Sequence, residues 1–300
     1  MGRGYAVSLF GLAAIWGASY LFIKVAVDDL EPTVMMALRC LIAVPPLFAF
    51  LAWRSGARRA VEQIGEAWRP ALILGVINAA LPFWLIAWGE KHIDSGIAAI
   101  VQATVPLFNT VLAWRFKPSE RATGLRLVGL AVGLLGVGIL TGVRPEGGWW
   151  AVAGTLAVVA SSLCYAAGGL YGQVSVANVA GPVLATASML VGGLILLPFA
   201  LVQLPDHVPH WDAIGSVLAL SLLGTAFAQL VLFRMLRLYG SSRLSLVTYL
   251  MPPIALMYGA LILDERITGA AIAGLVLILC GVALGSGAVR GRRSAVVQAP

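Results

Sequence analysis

The stretch SGIAAIVQATVPLFNTVLAWRFKPSER runs from Ser95 to Arg121, and SRLSLVTYLMPPIALMYGALILDER runs from Ser242 to Arg266. Each begins beside a serine, crosses an apolar run interrupted by proline, and ends on Glu-Arg. Sliding the chain on itself by about 146 residues lays Ser95 on Ser241 and Pro106 on Pro252. A slide of about 145 lays Glu120 and Arg121 on Glu265 and Arg266, Gly129 on Gly274, and Gly136 on Gly281. The chain therefore reads as one unit written twice.

The unit is apolar. Of 300 residues, 60% are hydrophobic and 11% charged, with a mean hydropathy of +0.93, whereas soluble domains carry roughly 25% charged residues. An integral membrane protein is expected. The net charge of +7 sits in short clusters between apolar runs rather than on one basic surface, which argues against a nucleic-acid partner. Cys40, Cys164 and Cys280 each fall inside an apolar run and read as small buried hydrophobes, neither a disulfide framework nor a metal site. The first apolar run, from about Tyr5 to Ile23, is longer than a signal-peptide core and is expected to stay as a helix.

With about 20 apolar residues per crossing, ten transmembrane helices are expected, near 5–27, 33–53, 70–89, 95–114, 123–142, 149–172, 181–202, 213–236, 243–263 and 268–288. The fold class is all-α. If the N-terminus is cytoplasmic, the inner side collects Arg3, Arg54, Arg58, Arg59, Arg69, Arg115, Lys117, Arg121, Arg126, Arg234, Arg237, Arg243, Arg290, Arg292 and Arg293. The outer side keeps Lys91, Arg144 and Arg266. That asymmetry predicts both termini in the cytoplasm.

Five spans per unit is an odd number, so the second unit is inserted upside down. Inverted repeats of this kind build secondary transporters, in which two halves rock about a site at mid-membrane. The plainer alternative is a duplication that serves stability alone. The expected division is 1–144 and 145–288 for the two five-helix repeats, with a disordered basic tail at 289–300 near anionic headgroups.

Several phrases carry a family likeness. AAIWGASYLFIK at 13–24, the P-x6-R of Pro32 and Arg39, WGEKHIDSGIAAIVQATVPLF at 88–108, and the two ER-x-T-G endings resemble the EamA-type branch of the drug/metabolite transporter superfamily, from about Ala6 to Gly287. The resemblance implies a basket-like, ten-helix exporter of amino acids, other metabolites or drugs, with relatives that carry sugar phosphates or nucleotide sugars. It also implies that spans 1, 3, 4, 6, 8 and 9 surround a central cavity. This chain departs from a strict repeat by one extra residue between Pro106 and Glu120, and RFKPSER is more charged than LILDER.

Independently of the family, polar residues inside spans mark a pathway, because lipid offers them no partner. Trp16, Tyr20 and Lys24 share one face of span 1. Asn78 and Pro82 mark span 3, Gln102, Pro106 and Asn109 span 4, Ser161 and Tyr165 span 6, Ser221, Thr225 and Gln229 span 8, and Ser245, Thr248 and Pro252 span 9. For Ser and Thr, close helix packing competes with ligand contact; for Asn78, Gln102, Asn109 and Gln229 the amides demand several partners and favour the cavity. Pro106 and Pro252 are read as mid-helix kinks, either gate hinges or shapers of the bundle.

Lys24 is read as an anion-attracting group at the cavity mouth, and Arg39 as a structural partner of the outer-loop carboxylates Asp28, Asp29 and Glu31. Glu90 is placed at the outer end of span 3, with no carboxylate at mid-membrane, so efflux down the substrate's own gradient is expected unless Glu90 or another peripheral group couples protons. The glycine lines of spans 5 and 10 are expected to pack within one chain, leaving a monomer or a weak homodimer.

Enzymatic chemistry finds no motif: His92, His207 and His210 fall in outer loops, and there is no phosphate-binding loop or nucleophile elbow. No cofactor or metal is expected, and no ATP-driven pumping by this chain alone. Two deep cations suit a dianionic substrate poorly, so a small zwitterionic or weakly charged solute such as an amino acid is the expected cargo. Sugar phosphates, nucleotide sugars, drugs, or a non-transporting scaffold are the alternatives. The abundance of Arg, Ala, Gly and Val points to a GC-rich bacterium and its inner membrane.

Overall fold

A computed structural model describes residues 3–116, 124–141, 148–240, 244 and 246–285. These form α1 (Arg3–Val27), α2 (Pro32–Ser55), α3 (Ala57–Glu66), α4 (Trp68–Leu74), α5 (Leu81–Glu90), α6 (Ser95–Gln102), α7 (Val105–Phe116), α8 (Leu125–Thr141), α9 (Gly148–Val174), α10 (Gly181–Val202), α11 (Trp211–Ser221), α12 (Ala228–Tyr239), α13 (Val247–Ile262) and α14 (Gly269–Gly285). π turns at Gly75–Ala80 and Leu222–Phe227 join α4 to α5 and α11 to α12. No strand occurs among the described residues.

Seven helical stretches are long and apolar enough to cross a membrane: Gly4–Val27, Pro32–Ser55, Trp68–Glu90, Ser95–Leu112, Gly148–Val174, Gly181–Val202 and Trp211–Tyr239. Three shorter apolar helices, Leu127–Leu140, Val247–Ile262 and Gly269–Leu284, stand where the fifth, ninth and tenth spans were expected. The sequence positions just before and after these three include residues outside the described set, among them Glu120, Arg121, Arg144, Ser241, Ser245 and the tail.

Local chemistry explains the boundaries. Pro32 opens α2 at a position that needs no N–H donor. Gly56, at φ 82°, turns the chain from α2 into α3. The helix α3 is a feature that apolar-run counting passes over: it is short and polar, buries Ala60, and carries Arg58–Glu62 and Arg59–Glu66 pairs on its exposed face.

Span 4 differs from expectation. Pro106 does not kink a continuous helix; α6 ends at Gln102, and α7 begins at Val105 after a two-residue break. Proline lacks the N–H that would bond the Gln102 carbonyl. The N–H groups of Ala103 and Thr104 instead donate to Ile100 and Val101, tightening the last turn. Pro252 does sit inside a helix, beside Pro253 in α13.

The helices pack in a regular pattern. α1 contacts α13 and α11; α13 contacts α6; α6 and α7 contact α9; and α9 contacts α5. These elements come from spans 1, 3, 4, 6, 8 and 9. Outside them, α2 packs on α10, and α8 on α14. The α8–α14 contact is glycine-lined: a Cβ on Gly281 would meet the Gly129 carbonyl and the Gly133 backbone, and one on Gly136 would lie 3.0 Å from the Gly274 carbonyl. Rising numbers on one helix meet falling numbers on the other, so the two run antiparallel. The glycine lines read from the sequence meet each other within the chain.

Candidate functional site

The interior holds a polar layer built on the irregular parts of the spans. In the second π turn, Thr225 Oγ1 donates to the Leu220 carbonyl at 2.9 Å, closing the widened turn. The same oxygen accepts from Arg39 Nε at 2.9 Å. Arg39 is 7% exposed, and its guanidinium carbon lies 3.8 Å from the centroid of the Phe83 ring on α5. A buried cation needs such compensation, and the ring face supplies part of it. This corrects the sequence expectation: Arg39 turns inward to Thr225 and Phe83 and does not reach the outer-loop carboxylates.

Those carboxylates have other partners. Glu31 accepts from Lys91 at 2.9 Å. Asp29 accepts from His207 Nε2 at 2.7 Å and from the His210 backbone N–H at 2.6 Å. The His207 hydrogen bond, then the His210 backbone bond, hold the Asp29 carboxyl below its usual range. The two histidines of HVPH thus tie the 203–210 loop to the 28–31 loop. His92 is held below the usual imidazole range by partial burial, then by Lys91 and Lys24; it stacks on Trp150 and meets Trp88 edge-on.

Beside Phe83 stands Tyr165 of α9, ring centroids 6.4 Å apart. One helical turn away, Ser161 Oγ donates to Gln102 Oε1 at 2.7 Å. Gln102 is 5% exposed, and its Nε2 has no hydrogen-bond partner. Gln102 and Tyr165 therefore belong to one assembly with Phe83 and Arg39. Tyr20 is buried in the same core, with Trp16 packed against it as a half-buried neighbour.

Asn78 lies in the first π turn against Gly168: a Cβ there would sit 2.8 Å from Asn78 Oδ1. The missing side chain lets α9 approach the turn. Pro82 follows, buried at the start of α5. Asn109 is exposed beside Gly169 rather than enclosed with Gln102. Gln229 on α12 and Thr248 on α13 are half-buried, Pro106 is half-buried and Pro252 buried. Cys40 is buried, but Cys164 is only partly so and Cys280 is exposed, a correction to the reading of all three as core.

Towards the end of the bundle that carries these loops, Lys24 Nζ donates to the carbonyls of Glu90 and Ile93, at 2.7 and 3.0 Å. A cation at the end of α5 satisfies free carbonyls and suits the helix dipole. Glu265, beyond α13, does the reverse at the start of α6. Its carboxylate accepts from the Ser95 N–H at 2.8 Å, Ser95 Oγ at 2.9 Å and the Gly96 N–H at 3.1 Å. Sequence reading placed Glu265 only at a helix end; the signal was the repeat of Ser and Glu-Arg, without the knowledge that they meet. Lys24 and Glu265 line an open cavity of about 780 Å³ with Asp28, Asp29, Asp94 and Arg266. Glu90, at the end of α5, is 0% exposed, and neither carboxyl oxygen has a hydrogen-bond partner.

Among the described residues, no group of His, Cys, Asp and Glu is placed to hold a metal ion.

Comparison with known proteins adds the following. The EamA-like transporter family matches residues 4–142 and 152–286. The uncharacterized transporter YoaV of Bacillus subtilis is 25% identical, over 92% of this chain and 94% of its own length. A probable amino-acid metabolite efflux pump of Salmonella typhimurium is 26% identical over 96% of each chain. A solved crystal structure superposes with a TM-score of 0.68 at 20% identity, covering 97% of this chain and 99% of its own, a likeness of fold.

Proposed function

Because this multi-pass membrane chain belongs to the EamA-like transporter family, we propose that it is a secondary transporter exporting a small zwitterionic or weakly charged metabolite, an amino acid or close analogue, across a bacterial inner membrane. The observation that carries the substrate class is charge balance. Among the described residues, the buried charged side chains are one cation, Arg39, and one acid, Glu90. A solute with one positive and one negative group meets no uncompensated charge there, whereas a sugar phosphate brings two negative charges to a single guanidinium. The amino-acid efflux name borne by a relative points the same way.

The mechanism proposed is alternating access between two inverted halves, 1–144 and 145–288, with both termini cytoplasmic. Two features support it. The π turns are separated by the same step as Pro106 and Pro252, within a residue. The packing pairs exchange under the repeat: span 1 on span 9 answers span 6 on span 4, and spans 5 and 10 meet each other antiparallel.

The test is counterflow of radiolabelled neutral amino acids, purine bases and sugar phosphates in proteoliposomes. Exchange of a neutral amino acid is expected, lowered at least about tenfold in Gln102→Ala, the equivalent of about 1.4 kcal/mol. Exchange of sugar phosphates with none of amino acids would overturn the reading.

A further inference from the structure

Glu90 ends α5 in a place where a carboxyl group has nothing to bond. Every charged or titratable neighbour is engaged elsewhere or is a poor partner. From α1, the Lys24 ammonium bonds two main-chain carbonyls rather than the Glu90 carboxyl. From α2, Arg39 donates through Nε to Thr225 and lies on Phe83. From beyond α13, the Glu265 carboxylate caps α6. Tyr20 of α1 is a further titratable group in its surroundings. On the α9 side, the contacts at neighbouring Gly89 are Val158 and the Gly154 backbone, which carry no charge.

A carboxyl group in such packing requires either a set of donors or a proton. Among the described residues, neither carboxyl oxygen of Glu90 has a donor. A metal ion would need several oxygen ligands, and the nearby Lys24 and Arg39 repel one. A proton needs no ligand beyond the carboxyl oxygen. We propose that Glu90 is the proton-carrying group of the transport cycle. It takes a proton from the cavity lined by Lys24 and Glu265 and gives it up towards the opposite face in exchange for solute. The step is the simple association of carboxylate and proton, with no other reactant. Lys24 and Glu265 line that cavity and hold the ends of α5 and α6, so breaking their bonds frees the helix end that carries Glu90. This proposal rests on the transporter reading and takes the Glu90 alternative that the sequence leaves open, in place of efflux down the solute's own gradient.

Two measurements test it. The first needs no solute: infrared spectra of the protein in phosphatidylethanolamine–phosphatidylglycerol vesicles, with deuterium exchange to mark protonated carboxyl bands. A band present in the wild type and in Glu265→Gln, but lost in Glu90→Gln and moved in Glu90→Asp, is expected; a band unchanged in both Glu90 variants overturns the proposal. The Asp variant keeps the measurement decisive if Glu90→Gln fails to fold. The second is accumulation of radiolabelled neutral amino acids under an imposed pH gradient. The ratio of accumulation with the gradient to that without should exceed one in the wild type and fall to one in Glu90→Gln; an unchanged ratio overturns it. Transport of no solute would count against the transporter reading, while the infrared result still judges the proton site.

Discussion

The two π turns, one early in the chain at Gly75–Ala80 and one late at Leu222–Phe227, meet different partners. Gly75–Ala80 presents Asn78 to the bare backbone of Gly168, so its irregularity lets α9 approach closely. Leu222–Phe227 presents Thr225, whose hydroxyl closes the turn onto Leu220 and accepts from a buried guanidinium. A shared backbone distortion thus serves close packing in one half and charge compensation in the other. Widened turns of this kind concentrate at functional sites, and the polar layer of this protein is assembled between these two.

The largest expected effect lies in the charged turn. Thr225→Val keeps the side-chain shape but leaves Arg39 Nε without its acceptor, and should lower stability by about 1.5–3 kcal/mol. Thermal unfolding in detergent measures it, beside Asn78→Ala. Equal losses in both variants would erase the distinction between the turns.

A smaller effect sharpens the packing half of the contrast. Gly168→Ala places a methyl group 2.8 Å from Asn78 Oδ1. Overpacking costs about 1–3 kcal/mol, offset by about 1 kcal/mol of helix propensity. A net loss near 1 kcal/mol is expected in Gly168→Ala, and adding Asn78→Ala in the same chain should relieve it. A double-mutant cycle reads that coupling; simple additivity would show that Asn78 is not what the α9 backbone accommodates.

The smallest effect concerns how the halves are tied at their loops. Asp29, from the first half, holds His207 and the His210 backbone in the second. Its carboxyl is depressed in the folded protein, so the stabilisation is present above the unfolded carboxylate value, about 3.9, and is lost as pH falls through the lower folded value. Unfolding temperatures of wild type and Asp29→Asn should therefore differ near neutral pH and converge in acid. A constant difference would mean the tie does not depend on ionisation of Asp29.

Much of the fold was legible in the sequence because lipid imposes a simple rule: apolar runs become helices, and breaks in them become ends. The 28–31 segment before Pro32 and the acid–base helix α3 show both the rule and its limit, since α3 is too short and polar for a count of apolar runs. Gln102 and Tyr165 stand out in the sequence because polar groups in apolar runs are conspicuous. Arg39 was noticed but given the wrong partners, since Asp28, Asp29 and Glu31 are near it in sequence whereas Thr225 and Phe83 are near it only in space.

By itself, the sequence determined the helical class and the residues that lipid would not tolerate without partners. Tertiary structure alone decided which partners they have: the Glu265 cap on α6, the burial of Glu90 and the turning of Arg39 away from its neighbouring carboxylates. The physical reason is range. Hydrophobic periodicity acts over a few residues and is written along the chain, whereas hydrogen bonds and charge compensation join groups over a hundred residues apart, and their geometry exists only once the helices have packed.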